Sequence, residues 1–308
     1  MSPRARLRSV LPSIFGALVL AGCARILDLD VLPAKTEGQV DAGQRVDAPA
    51  PVCSLGNPRP CDGSCPHQLC DDFDSADGTF TGWTPTLATN PYLLNGGTLA
   101  FAAPGAQQSA FRLVARVPGV GKASAALVSH RMEVPVDMDA PSAVVLAFDM
   151  RVESASFAAG DGGTDESAVL ASLAAYDAGD RLPGIALALR SDGLTLLVAN
   201  DLLFADSPPT PHPLLEPAVY SGIRSSWLRY VIFLGTAEAA ARASLRSCPR
   251  SGMVVAASLF GSPGEACVAA PPTLDRAALR RALASVGPSL RTEGAVEIHY
   301  DNVFVDRL

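Results

Sequence analysis

From Asp71 onward the chain alternates apolar and polar residues with a period of two, and this pattern limits it to half-buried strands. In 143–153, Val144, Leu146, Phe148, Met150 and Val152 share one parity, while Asp149, Arg151 and Glu153 hold the other. Successive side chains of a strand point to opposite faces, so such a segment buries one face and leaves the other wet. Phe111, Leu113, Ala115 and Val117 repeat the pattern. Ile185, Leu187 and Leu189 lead through Ser191-Asp192-Gly193 to Leu194, Leu196 and Val198, which predicts a hairpin with a glycine-containing turn. Trp227 to Leu234 is apolar on both parities and predicts a central strand covered on both sides. Further strands are expected at 98–102, 127–134, 168–176, 253–260 and 296–305. With 26 glycines and 25 prolines for turns, the expected fold is all-β: an antiparallel two-sheet sandwich of the jelly-roll kind.

Four segments depart from simple alternation. Thr273 could cap a short helix near 274–283, with Arg280 and Arg281 at its C-terminal end. The Gly- and Asp-rich stretch 158–165 and the five-proline stretch 206–217 are expected to be exposed loops. In the last strand, Ile298 and Tyr300 have one parity and Val303 and Val305 the other. One face cannot bury both pairs unless the register slips, so a bulge is expected near Asp301-Asn302.

The N-terminus is of another kind. Arg4, Arg6 and Arg8 precede an apolar run of 11 residues, Val10–Leu20, which meets Leu20-Ala21-Gly22-Cys23. A membrane-spanning helix needs about 20 residues. The layout resembles a bacterial lipoprotein signal peptide. That resemblance implies cleavage after residue 22, palmitate-type acylation of Cys23, and a lipid bilayer as partner through several acyl chains. Ala24, in place of an aspartate, implies sorting to the outer membrane. Residues 23–52 then read as a flexible tether with a reach of about 100 Å. Residues 53–70, holding Cys53, Cys61, Cys65 and Cys70, read as a disulfide-stapled knot, and 71–308 as the sandwich.

With Cys23 acylated, Cys53, Cys61, Cys65, Cys70, Cys248 and Cys267 remain. In an exported chain these six read as three disulfides. Cys248 and Cys267 stand apart from the cluster, whose own pairing the sequence leaves open. Cys61-x3-Cys65-x-His67-x2-Cys70 also mixes zinc-type ligands, at a spacing that fits no common zinc module. Loss of residues 1–22 removes three arginines and no acid, so 24 basic residues become 21 against 31 acidic ones, a formal charge of −10. That balance argues against a nucleic-acid partner.

Cys70-Asp71-Asp72-Phe73-Asp74 with Gly82-Trp83, Ser226-Trp227-Leu228-Arg229-Tyr230, and Tyr300-Asp301-Asn302-Val303-Phe304-Val305 resemble the opening, an internal strand and the closing strand of concanavalin A-like jelly-roll domains. The resemblance implies two packed sheets with the first and last strands paired. The superfamily includes lectins, laminin-G-like modules, β-glucanases and lipoproteins without an assigned activity, and the chain resembles the last group most. Structural calcium near the terminal strands is implied, with Asp72 and Asp301 as ligands and Asp71, Asp74 and Asn302 nearby. The loop Asp161–Asp165 is a weaker calcium candidate.

Asp149-x-Arg151-x-Glu153 is the nearest approach to the Glu-x-Asp-x-Glu strand of the superfamily's glucanases. Positions four apart in a strand lie about 13 Å apart, whereas retaining hydrolysis needs carboxyls about 5–5.5 Å apart. The central arginine favours ionised acids over a proton donor. Trp83 and Trp227 are expected in the core, which leaves Tyr92 and Tyr220, in presumed loops, as candidates for stacking on sugars. His67, His130, His212 and His299 show no zinc spacing, and no Gly-x-Ser-x-Gly elbow is present. The sequence therefore points to a tethered lipoprotein whose sandwich binds a polysaccharide or an envelope protein, or serves as structure, without catalysis. A divergent laminarinase-like glycoside hydrolase using Asp149 and Glu153 is the alternative.

Overall fold

The computed structural model describes residues 61, 67–74, 80, 82–83, 91–106, 109–118, 123–157, 167–177, 179, 181–191, 193–202, 209–215, 219–221, 225–260, 264–291 and 293–308. Cys23, the tether, Cys53, Cys65 and the 158–165 loop lie outside these residues.

The chain folds into two antiparallel sheets packed face to face. The first runs in the order β13 (Glu265–Ala269), β12 (Met253–Leu259), β11 (Leu228–Thr236), β6 (Ala143–Phe157), β15 (Gly294–Arg307), β4 (Arg112–Val117), β3 (Thr98–Ala102). The first strand, β1 (Leu69–Asp71), pairs with the last, β15, placing Leu69 opposite Val305. The second sheet runs β10 (Thr210–Leu215), β9 (Gly193–Ala199), β8 (Gly184–Arg190), β7 (Ser167–Ala175), β14 (Arg281–Leu290), β5 (Ser124–Glu133), β2 (Tyr92–Leu94).

The parity read from sequence becomes the core. Leu146, Phe148 and Met150 of β6 and Ile298 and Tyr300 of β15 face Leu170, Leu173, Ile185, Leu187 and Leu196 of the second sheet. Each such side chain contributes about 1.5–3 kcal/mol when fully buried. Tyr300 is fully enclosed and donates its hydroxyl to the Leu170 carbonyl across the sandwich at 2.8 Å. The slip in β15 falls where the alternation breaks: Asp301 pairs with Asp149, Phe304 pairs with Ala147, and Asn302 takes φ 47°. Ile298, Tyr300, Val303 and Val305 all reach the same core through this bulge.

The expected helix at 274–283 does not form. A single 3-10 turn, Ala278–Arg280, stands there with Ala277 at its N-cap and no capping side chain, while Asp275 accepts from the Ala278 amide at 2.9 Å. β14 then begins at Arg281, between β5 and β7. Two flanking strands outweigh a weak helical preference. Gly287-Pro288 sits in a register shift of β14 against β7, and at φ 128° a Cβ on Gly287 would lie 2.1 Å from the Ala126 carbonyl oxygen. The proline-rich stretch is not all loop either. β10 forms an edge strand, where Pro211 and Pro213 withhold no inner ladder bond, and Leu214 and Leu215 are buried.

Candidate functional site

The outer face of the first sheet divides along its strands into two halves. Over one half the outward residues are apolar: Val145 and Ala147 of β6, Val231 and Phe233 of β11, Val254 and Ala256 of β12, and Phe304 of β15. They are covered by helix α1 (Ala237–Arg242), by Leu245 and by the Cys248–Cys267 disulfide. Thr236 caps α1 by accepting from the Ala239 amide at 3.2 Å. Sequence reading missed this helix, although the Thr-x-Glu start and alanine run were its signal. His67 stacks on Phe304 with centroids 4.6 Å apart, and Cys61 is bonded to Cys70 of β1.

Beyond Asp149 the outward residues become polar, and among the described residues no helix covers them. In one row across the strands, Asp301 of β15, Asp149 of β6 and Arg229 of β11 are neighbours, with Arg112 of β4 next to Leu113, the partner of Tyr300. The next row holds Val114, His299, Arg151 and, just before β11, Trp227. A third holds Arg116 and Glu297, beside a bulge that leaves Glu153 unpaired in β6.

Asp149 is almost completely buried. Arg229 grips it with two parallel bonds, Nε to Oδ1 and Nη2 to Oδ2, both 2.8 Å, and Asn302 Nδ2 donates to Oδ2 at 2.9 Å. Asp301 accepts from the Ala106 amide and, at 2.7 Å, from the Asn302 amide. Burial pushes its carboxyl up to about 8, against the pull of those amides and with a further push from the Asp149 charge. Glu153 is partly exposed and bonds Arg151, which draws its carboxyl below the ordinary value.

The structure thus separates the two acids of the hydrolase reading by environment. Asp149 has its oxygens committed to Arg229 and Asn302, and Glu153 is biased away from donating a proton. The calcium ligands fare similarly. Asp71 accepts from Trp83 Nε1 at 2.7 Å, Asp72 from the Asp74 amide at 3.2 Å, and Asp74 from the Phe111 amide at 2.9 Å. Among the described residues no three His, Cys, Asp or Glu side chains converge on a metal position. Calcium needs six to eight oxygens, several of them ionised. Asp301 accepts from the Ala106 and Asn302 amides and Asp72 from the Asp74 amide, so both carboxylates turn to backbone of their own surroundings.

Aromatic placement corrects the sequence reading. Trp83 is buried as expected, parallel to Phe73 at 6.5 Å. Tyr220, expected in a loop, is buried in the core, so its ring is not free to stack on a sugar. Tyr92 is half-buried in β2 at the edge of the second sheet, away from the polar half. Trp227 is not a core residue. It has the outward parity of Arg229, is half-buried, and lies against the His299 ring at 6.4 Å between centroids. Phe260 is 52 % exposed just after β12, with its amide on the Arg229 carbonyl.

His299 is enclosed on this face. Its Nε2 is 2.9 Å from Glu297 Oε1, and Glu297 is in turn held by Arg116 through Nε at 2.8 Å and Nη2 at 3.0 Å. That arginine, with the histidine bond, brings Glu297 down to about 2. Burial lowers the His299 pKa, which the Glu297 bond opposes and the nearby Arg112 charge reinforces. His299 Nδ1 and Arg112 Nε are buried without a hydrogen-bond partner among the described residues. Sequence offered no sign of this cluster, because its members come from two strands, β4 and β15, far apart in the chain.

A shallow depression of about 790 Å³ lies at the α1 end of the molecule, bordered by Met138, Arg242, Arg276 and Arg307. Arg276 spends its donors on the Ala140 and Pro141 carbonyls and Arg242 on Glu238 and Ser142. Neither His299 Nδ1 nor Arg112 Nε borders it, so the polar half is the stronger site.

No protein-family model matches the chain, and no curated protein sequence does. Among solved structures, the chain is similar in course to the cellulose-induced protein Cip1, with 14 % identity, TM-score 0.47, and coverage of 77 % of this chain and 96 % of that one. It is similar also to the alginate lyase vAL-1 from a Chlorella virus, at 8 % identity, TM-score 0.48, and 79 % and 100 % coverage. A third is the CBM2 module of the evolved Dit of Lactobacillus casei BL23 phage J-1, at 13 % identity, TM-score 0.44, and 78 % and 94 % coverage.

Proposed function

We propose that this protein is an exported lipoprotein, held to the outer membrane through acylated Cys23, whose sandwich binds a glycan without cleaving it. One observation carries the glycan reading. The outer face of the first sheet is covered over its apolar half, and among the described residues no helix lies over its polar half, where half-buried Trp227 and exposed Phe260 flank Arg229. A flat aromatic ring beside hydrogen-bonding side chains suits a sugar, which has an apolar ring face and a polar rim. The commitment of Asp149 to Arg229 favours binding over hydrolysis.

The test is a broad glycan array probed with the mature chain in detergent, beside its Trp227→Ala variant. A saturable signal that the substitution weakens is expected, with no release of reducing sugar. A blank array would overturn the reading, and reducing-sugar release that depends on Glu153 would turn it into the hydrolase. For the anchor, Cys23→Ser is expected to move the protein out of the membrane fraction; retention there would refute acylation.

A further inference from the structure

We infer that His299 Nδ1 is an acceptor for a sugar hydroxyl, so the glycan bound here is neutral, with the exposed Arg151–Glu153 pair as a movable cover. This rests on the glycan reading above and assigns its chemical class.

Two bonds from Arg116 keep the Glu297 carboxylate ionised, and an ionised carboxylate only accepts. His299 Nε2, 2.9 Å from that carboxylate, must therefore carry the proton. In a neutral ring Nδ1 is then a bare lone pair. It is buried, and the ring as a whole is 3 % exposed. Buried polar atoms without partners are rare, because the lost hydration is not repaid. What Nδ1 lacks is a donor.

Its immediate outlook is Glu153 Oε2 at 3.9 Å, beyond hydrogen-bond reach and itself an acceptor. That carboxylate repels an anionic ligand at the same place and leaves a hydroxyl untroubled. Arg151 and Arg116 are already matched by Glu153 and Glu297. Arg112, diagonal to His299 on β4, adds an unpartnered buried donor, Nε. One acceptor and one donor suit the two capacities of sugar hydroxyls. The cover is cheap to move: the Arg151 and Glu153 side chains are 31 % and 40 % exposed, and such surface pairs contribute little. Trp227, against the His299 ring, supplies the apolar wall.

The experiment is calorimetric titration of the full mature chain in detergent with three probes: a neutral β-glucan oligosaccharide, an oligouronate and a sulfated oligosaccharide. The neutral probe is expected to bind, and the two anionic probes to bind more weakly. His299→Phe is expected to weaken the neutral probe about three- to tenfold, the worth of one neutral hydrogen bond. Because a buried substitution can disturb the fold, Glu153→Ala is the companion variant; it uncovers Nδ1 and is expected to hold or strengthen binding. Protonation puts a donor on Nδ1, so affinity is expected to fall on acidification, at a pH below the ordinary histidine range because burial lowers the His299 pKa. The charged groups facing the ring are Glu297 on its own strand, Arg112 and Arg116 on β4, and Arg151 and Glu153 on β6. Stronger binding of either anionic probe would overturn the inference and leave the glycan reading standing. So would neutral-probe binding unchanged by His299→Phe in a folded variant. No binding of any probe would remove both.

Discussion

Along β6 the outward side chains change from Val145 and Ala147 to Asp149, Arg151 and Glu153 within nine residues, and what lies over them changes too. The apolar half acquired α1, the residues after it and a disulfide as cover. Among the described residues the polar half has its own side chains and the loop that Asp301 holds through the Ala106 amide. Both halves bury atoms, by different means. The first excludes water with hydrocarbon. The second does so with matched charges, Asp149 with Arg229 and Glu297 with Arg116, and leaves His299 Nδ1 unmatched. A surface stabilised by internal pairing can be uncovered locally without exposing a core, which is what a binding face requires.

The contrast can be broken by substitution. Phe233→Ala, in the covered half, should cost about 3–5 kcal/mol of unfolding free energy, measured by urea denaturation; a loss near zero would mean that the helical cover does not seal that half. Arg229→Ala should cost about 3 kcal/mol by stranding the buried Asp149 carboxylate, and Arg229→Met with Asp149→Leu should recover most of it. If the double variant is no better than the single, the pair is not the organising feature of the polar half.

Asp301 sharpens the comparison through pH. Its folded pKa of about 8 lies above that of an unfolded Asp, about 3.9. Its contribution is therefore fully present below about pH 4 and is lost as pH rises through about 8. Asp301→Asn should gain on the parent protein across that window in denaturation curves from pH 4 to 9; parallel curves would place an ionised carboxylate there. Smallest of all, Glu153→Gln should change stability by less than about 0.5 kcal/mol, as a partly exposed pair should. A larger loss by calorimetry would show that the Arg151–Glu153 cover is structural rather than movable.

Much of the sandwich was legible because parity is local. The alternation in 143–153 and 185–198, and even the slip between Tyr300 and Val303, follow from side chains two residues apart. The segment 274–283 was misread because its capping and alanine content favour a helix, while its fate depended on β5 and β7, strands more than a hundred residues away. Trp227 was misread because an aromatic residue at a strand start does not declare its face until its register against β6 is known. Tyr220 was misread for the opposite reason, a residue among turn formers that tertiary packing drew into the core.

The sequence by itself determined that the chain is a strand-rich sandwich with a bulged last strand, and it carries the lipoprotein-like N-terminus from which the anchor is proposed. These are properties of neighbouring residues and their periodicity. Only the tertiary structure decided which half of the outer face is covered and which carboxylates are neutralised. It also decided that His299 would be enclosed beside Trp227 with one nitrogen unpaired. Asp149 and Arg229 are 80 residues apart and Arg116 and Glu297 181 apart. Charges so distant meet only once strand order and register are fixed.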